Sequence, residues 1–220
     1  ITTTPLATAD QTYAGTDAVL MNGGSSYILP ELAMTDVRNY ELSFMVYGLS
    51  LNNQFNVGVL ADPSDVASFS TAKVVNVKEK ELWREVVVTF EDVVAGHEND
   101  KFIAFNLPVG QSIIVDNLLV RQKPACQKVT NLDVIVYGDE LDVTWESKGE
   151  KTELALWKMN QLVKSVIYEN DATKEQQNAL LKWVEQNESG YNFKARSICG
   201  KDTSEWTVDF VFETPCNRMA

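Results

Sequence analysis

The sequence predicts an all-β chain made of two β-sandwiches in tandem, and three observations carry that reading. Apolar residues recur with period two in many short runs, the pattern of half-buried strands. Gly, Asn, Asp and Pro clusters separate the runs, as turn chemistry requires. The rhythm then breaks at a polar, proline-bearing joint near residue 124 and restarts beyond it.

In the first half, Tyr40, Leu42, Phe44 and Val46 recur at every second position, as do Phe55, Val57 and Val59, and Val86, Val88 and Phe90. Further strands are expected at Ala18–Met21, Tyr27–Leu29, Lys73–Val77, Lys101–Asn106 and Ile113–Arg121. The turns between them include Asn22-Gly23-Gly24, Leu51-Asn52-Asn53, Ala61-Asp62-Pro63, Ala95-Gly96-His97 and Pro108-Val109-Gly110. Together these make an antiparallel sandwich over residues 13–123, preceded by a polar tail or linker at residues 1–12.

The run Gln122-Lys123-Pro124-Ala125-Cys126 is the joint, and a second domain follows over residues 124–216. Its strands begin with Leu132, Val134 and Val136, then Leu141, Val143 and Trp145. They continue at Leu154–Met159, Leu162–Tyr168, Tyr191–Ile198 and Trp206–Thr214, which suits a seven-stranded sandwich of roughly 100 residues. One segment conflicts with the rest. Thr173 with Gln176 reads as a capping box, and Ala179, Leu180, Trp183 and Val184 sit at helical spacing, so local propensity says helix. A sandwich needs a strand before Tyr191, and tertiary context overrides propensity in short segments, so a strand is expected near Leu180–Val184 after a helical turn.

Composition sets outer bounds. Hydrophobic residues form 45% of the 220 and aromatics 10%, enough for sizeable cores. With 19 Lys plus Arg against 31 Asp plus Glu, the formal charge of −12 repels phosphate backbones and anionic membrane surfaces, so nucleic acid is a poor partner. No stretch approaches the roughly 20 apolar residues that span a bilayer, and Ile1-Thr2-Thr3-Thr4-Pro5 has no signal pattern. No membrane insertion is expected within this chain, and any export signal or anchor is expected to be removed or to lie outside it.

The second half resembles a fibronectin type III domain, an immunoglobulin-like β-sandwich, particularly the cysteine-bearing variety of bacterial surface proteins. The resemblance rests on Asn131-Leu132-Asp133-Val134, Val143-Thr144-Trp145, Tyr191-Asn192-Phe193-Lys194-Ala195-Arg196 and Ser204-Glu205-Trp206-Thr207. The first half resembles a jelly roll of the MAM-like or adhesin type, a group related in shape to carbohydrate-binding modules. It does so through Trp83-Arg84-Glu85-Val86-Val87-Val88, Phe102-Ile103-Ala104-Phe105 and Ile114-Val115-Asp116-Asn117-Leu118-Leu119-Val120. Sandwiches host many functions, so neither resemblance names a ligand.

The fibronectin-like resemblance implies that the chain enters where the sixth strand leaves, so Cys126 and Cys199 should be close enough to bridge, in an oxidising compartment. Three free thiols in a cytosolic protein is the competing reading. Cys216 is then left over, and Thr214-Pro215-Cys216 loosely matches Lys123-Pro124-Ala125-Cys126, as though opening a following repeat.

For chemistry the sequence offers His97 in a loop and scattered carboxylates such as Glu91 and Asp92, with no nucleophile or metallohydrolase spacing around the histidine. Asp116 and Asn117 interrupt an apolar strand, and a buried carboxylate needs partners. Alternation places Asp116 with Ile114, Leu118 and Val120. Either Asp116 accepts loop amides near the joint, or it ligates a structural calcium, as the jelly-roll resemblance implies. Arg196 lies on the strand before Trp206, so its guanidinium is placed to stack on that indole.

Tyr27, Tyr47, Trp83, Trp157 and Trp183 are the aromatics that could stack on sugars, although rings in sandwiches mostly fill the core. The amide-rich turns Asn22-Gly23-Gly24 and Leu51-Asn52-Asn53-Gln54 lie near Tyr27 and Tyr47, so Tyr27, Tyr47, Asn52 and Asn53 are the candidate ligand contacts. The expectation is a secreted or cell-surface protein that binds or adheres without catalysis, with a glycan or an extracellular host or matrix protein as partner. The competing expectations are a stalk that spaces another domain from the cell and, behind it, a glycoside-processing enzyme.

Overall fold

The computed structural model describes residues 6–9, 11–93, 95–184 and 190–212, with only the backbone of Leu6. The chain divides into two compact units, Ile1–Lys123 and Pro124–Ala220. Both are all-β sandwiches.

In the first unit the described strands are β1 (Leu6–Thr8), β2 (Ala18–Asn22), β3 (Ser25–Ile28), β4 (Tyr40–Gly48), β5 (Asn53–Leu60), β6 (Ser70–Val77), β7 (Trp83–Thr89), β8 (Phe102–Leu107) and β9 (Ser112–Gln122). They form a five-stranded sheet in the order β1-β2-β9-β4-β7 and a four-stranded sheet in the order β3-β8-β5-β6, all pairs antiparallel. Alternation drives the packing of one sheet on the other. Leu42, Phe44 and Val46 of β4 face Phe55, Val57 and Val59 of β5 and Ile103, Phe105 and Leu107 of β8 in one buried cluster. The Phe44 and Phe105 rings meet edge to face with centroids 5.1 Å apart. Each such side chain contributes about 1.5–3 kcal/mol by leaving water, which fixes the register of β4 because a one-residue slip would expose all of them.

The start of the chain departs from the expected tail. Leu6–Thr8 pairs with Ala18–Leu20 as an edge strand, so β1 and β2 form a hairpin whose connecting loop includes residues 11–17. At the opposite edge of sequence, the Asp116-Asn117 pair marks a bulge. The register between β4 and β9 shifts between Ser43 and Met45, and Asn117 takes φ of +50°. Asn tolerates that left-handed conformation better than a β-branched residue. The bulge reverses the phase of alternation, with Ile113 and Val115 facing the core before it and Val120 facing the core after it. Asp116 therefore shares a face with Ile114 but not with Val120, a correction to the simple alternation of the sequence.

In the second unit the strands are β10 (Thr130–Tyr137), β11 (Glu140–Glu146), β12 (Lys151–Lys158), β13 (Gln161–Glu169), β14 (Gln177–Leu181), β15 (Tyr191–Cys199), β16 (Asp202–Thr203) and β17 (Phe210–Phe212). One sheet runs β10-β11-β14 and the other β13-β12-β15-β16, with β17 also on β15. The core centres on Trp145, with Leu154, Leu156, Phe193 and Ala195 around it, and the indole Nε1 donates to Thr152 Oγ1 at 3.0 Å.

The helix-like segment resolves as strand β14, beginning three residues earlier than expected. Gln177, Ala179 and Leu181 alternate inward opposite Trp145, Val143 and Leu141 of β11. Burial with period two outweighs the helical propensity. The capping-box reading fails because Thr173 is engaged elsewhere: its amide and hydroxyl both donate to Asp171 Oδ1. The Gln177 side chain closes the loop by accepting from the Asp171 amide and donating to the Asp171 and Lys174 carbonyls.

Cys126 and Cys199 form a disulfide with Cα atoms 5.7 Å apart, tying the entry of the second unit to the end of β15. Cys216 lies outside the described residues. Among the described residues no helix is long and apolar enough to cross a membrane.

Candidate functional site

The outward face of the five-stranded sheet is only partly exposed, and a three-ring cluster stands at one end of it. Cross-strand register lines up Leu20, Ile114, Tyr47 and Trp83 across β2, β9, β4 and β7. The Tyr47 and Trp83 centroids are 5.3 Å apart at an interplanar angle of 52°. Tyr13, from the β1–β2 loop, lies edge-on to Trp83 at 5.8 Å. Exposure rises outward along this series: Tyr47 is 8% exposed, Trp83 is half-buried and Tyr13 is 44% exposed. Ala18, Leu20 and Leu49 complete an apolar floor beside the rings. The next row along the same face is Asp116, Met45 and Glu85.

Asp116 explains how a polar loop comes to lie on this face. Its Oδ2 accepts the amides of Tyr13 at 2.8 Å and Ala14 at 3.0 Å, and its Oδ1 accepts the Asn117 amide at 2.7 Å. Burial pushes the carboxyl pKa up, and the amides of Ala14, Asn117 and Tyr13 together outweigh that and hold it below its ordinary value. Of the two expectations for Asp116, the geometry fits acceptance of loop amides, though from the β1–β2 loop rather than near the joint. Among the described residues no group of three or more His, Cys, Asp or Glu side chains is arranged to hold a metal.

Beyond the same end of the sheet, three turns are locked together. Asn53 is fully buried; its Oδ1 accepts the Ser50 amide at 2.9 Å and its Nδ2 donates to Gln111 Oε1 at 2.8 Å. The Gln54 amide donates to the same Gln111 oxygen at 3.1 Å. Gly23 is required where it is, since a Cβ there would stand 2.4 Å from the carbonyl oxygens of both Pro108 and Gln111. Leu51 and Val109 are left at the tips of these turns, 69% and 87% exposed.

The four candidate contacts named from sequence therefore separate. Tyr27 is buried among core residues, and its hydroxyl accepts the Asn22 amide at 2.6 Å and donates to the Asn22 carbonyl at 3.2 Å. A ring so placed offers no open face, and Asn53 likewise spends its amide on the framework. Asn52 is exposed in its turn with φ of +56°, and its amide donates to Lys78 O at 3.2 Å. Tyr47 lies in the ring cluster with Trp83, and Tyr13 was not identified from sequence. A lone aromatic in an otherwise polar stretch was the available signal.

Elsewhere, the loop residue His97 has a carboxylate partner. Its Nδ1 lies 2.6 Å from Oδ2 of the buried Asp100. Glu91 pairs with Lys123. In the second unit Arg196 stacks on Trp206 with its guanidinium carbon 4.5 Å from the ring centroid and pairs with Glu153 at 2.7 Å, a structural brace across the sheet.

No family model and no curated protein matches the chain. Solved structures show similarity. The Endo-D glycoside hydrolase domain of Streptococcus pneumoniae R6 is 13% identical with a TM-score of 0.37, the match covering 96% of this chain and 36% of that one. The K1 cleaved adhesin domain of Lys-gingipain from Porphyromonas gingivalis W83 is 13% identical with a TM-score of 0.35, over 55% of this chain and 73% of that one. The N-terminal CBM22 tandem of Paenibacillus barcinonensis Xyn10C is 11% identical with a TM-score of 0.39, over 96% of this chain and 78% of that one.

Proposed function

We propose that this chain is a non-catalytic extracellular binding protein whose first unit holds a glycan on the outward face of its five-stranded sheet. The observation that carries the reading is the Tyr13–Trp83–Tyr47 cluster, three rings gathered on the outside of a sandwich whose core is already filled by Phe44, Phe55 and Phe105. Sugars present C–H faces that stack on accessible rings, here exposed Tyr13 and half-buried Trp83, and rigid neighbouring turns supply hydrogen-bonding groups such as those at exposed Asn52. The overall charge of −12 favours uncharged glycans over acidic ones.

The Cys126–Cys199 bridge supports an oxidising, extracellular setting. The arrangement of the second unit, a three-stranded sheet β10-β11-β14 and a sheet β13-β12-β15 continued by β16 and β17, supports a fibronectin type III-like module, which we assign to presenting the first unit rather than to binding. Calorimetric titration of the intact chain against neutral and acidic polysaccharides, with a hydrolysis assay alongside, tests the reading. Binding to a neutral polysaccharide that Trp83→Ala weakens about ten-fold, without turnover, supports it. Turnover, or binding indifferent to Trp83→Ala, overturns it.

A further inference from the structure

We infer that Asp116 is a positioning residue of the glycan-binding face: it holds the β1–β2 loop so that the Tyr13 ring completes the platform begun by Trp83 and Tyr47. This rests on the glycan-binding reading of that face.

Among the described residues, little else holds the middle of the loop in place. Its ends are fixed where Thr8 pairs with Ala18, and of the described residues between them Thr12 is half-buried and the rest are exposed. The Thr16 hydroxyl donates only to adjacent Asp17. Two adjacent amides, by contrast, converge on one carboxylate oxygen of a residue more than one hundred positions away in sequence, at 2.8 and 3.0 Å. Hydrogen bonds to an ionised acceptor are shorter and stronger than neutral ones, and a pair on adjacent amides fixes the direction of the chain as well as its position. The residue so fixed is the one whose ring reaches Trp83.

Asp116 is itself held by the bulge. Its Oδ1 accepts the Asn117 amide, so one carboxylate serves the strand with one oxygen and the loop with the other. A residue that holds only the fold would affect stability; a residue that sets the platform affects affinity through Tyr13.

A double-mutant cycle separates the two roles. Wild type, Tyr13→Ala, Asp116→Ala and the double variant are titrated with soluble hexasaccharides of glucose, xylose, mannose and N-acetylglucosamine, and the exchange of the Tyr13 and Ala14 amides is followed by NMR. Asp116→Asn, which keeps the size and one acceptor oxygen, serves if Asp116→Ala does not fold. The inference expects each single change to weaken binding about five- to ten-fold, the double variant to be no weaker than either, and the two amides to lose protection in the Asp116 variants. Additive losses, or unchanged affinity with the amides exchanging freely, overturn the role of Asp116 while leaving the binding face intact. A wild-type chain that binds none of the four overturns the binding reading, and with it any role of Asp116 in affinity.

Discussion

Gln111 accepts two hydrogen bonds on one side-chain oxygen, from Asn53 Nδ2 at 2.8 Å and from the Gln54 amide, and so joins turns that lie far apart in sequence. Asn53 is fully buried, and its own oxygen is taken by the Ser50 amide. Replacing Asn53 with Ala leaves the Ser50 amide and the Gln111 oxygen without these partners. The expected cost is about 1–3 kcal/mol, read by chemical denaturation of the intact chain. Asn52→Ala, at an exposed position, is expected to cost less, reflecting only its left-handed backbone conformation.

Strand β14 gives a test that separates strand from helix by burial alone. Leu181 is buried while Leu180 is 60% exposed, as period two requires. Leu181→Ala is expected to destabilise the protein by about 2–5 kcal/mol, whereas Leu180→Lys stays within about 0.5 kcal/mol. A helix over the same residues would bury Leu180 with Ala179, Trp183 and Val184, so a large effect of Leu180→Lys would refute the strand.

The disulfide closes a loop with a sequence separation of 73. Its reduction is expected to cost the second unit about 2–5 kcal/mol, measured as a shift in the denaturant midpoint with and without reductant.

Asp116 gives the face a pH dependence. Its folded pKa is lowered, so the stabilisation from its amide bonds is fully present above the unfolded carboxylate pKa and is lost as pH falls through the lower folded value. Amide exchange at Tyr13 and Ala14, corrected for intrinsic rates, is expected to show protection at neutral pH that disappears under acid conditions. Protection unchanged in acid would show that the loop is held by something other than the ionised carboxylate.

Much of the fold was legible because period-two burial leaves a direct trace: the inward residues of β4, β5 and β8 are the ones the alternation picked out. The bulge was harder to read, since Asp116-Asn117 signals an interruption without saying which face follows it. The candidate site was legible only in part. Tyr47 and Trp83 stood out as aromatics, but their apposition depends on the β4–β7 register. Tyr13 lies beside a stretch that composition marks as a tail, and a long-range bond to Asp116 brings it onto the sheet. Tyr27 and Asn53 misled because aromatic and amide side chains build frameworks as readily as they build sites.

The most direct test of the central claim is an NMR titration of the intact chain with neutral soluble oligosaccharides, following the indole N–H signals of the five tryptophans. The account predicts that the Trp83 indole shifts with saturable dependence on ligand, together with the Tyr13 and Ala14 amides. Saturable shifts confined to residues 124–212, with Trp83 unmoved, would contradict it.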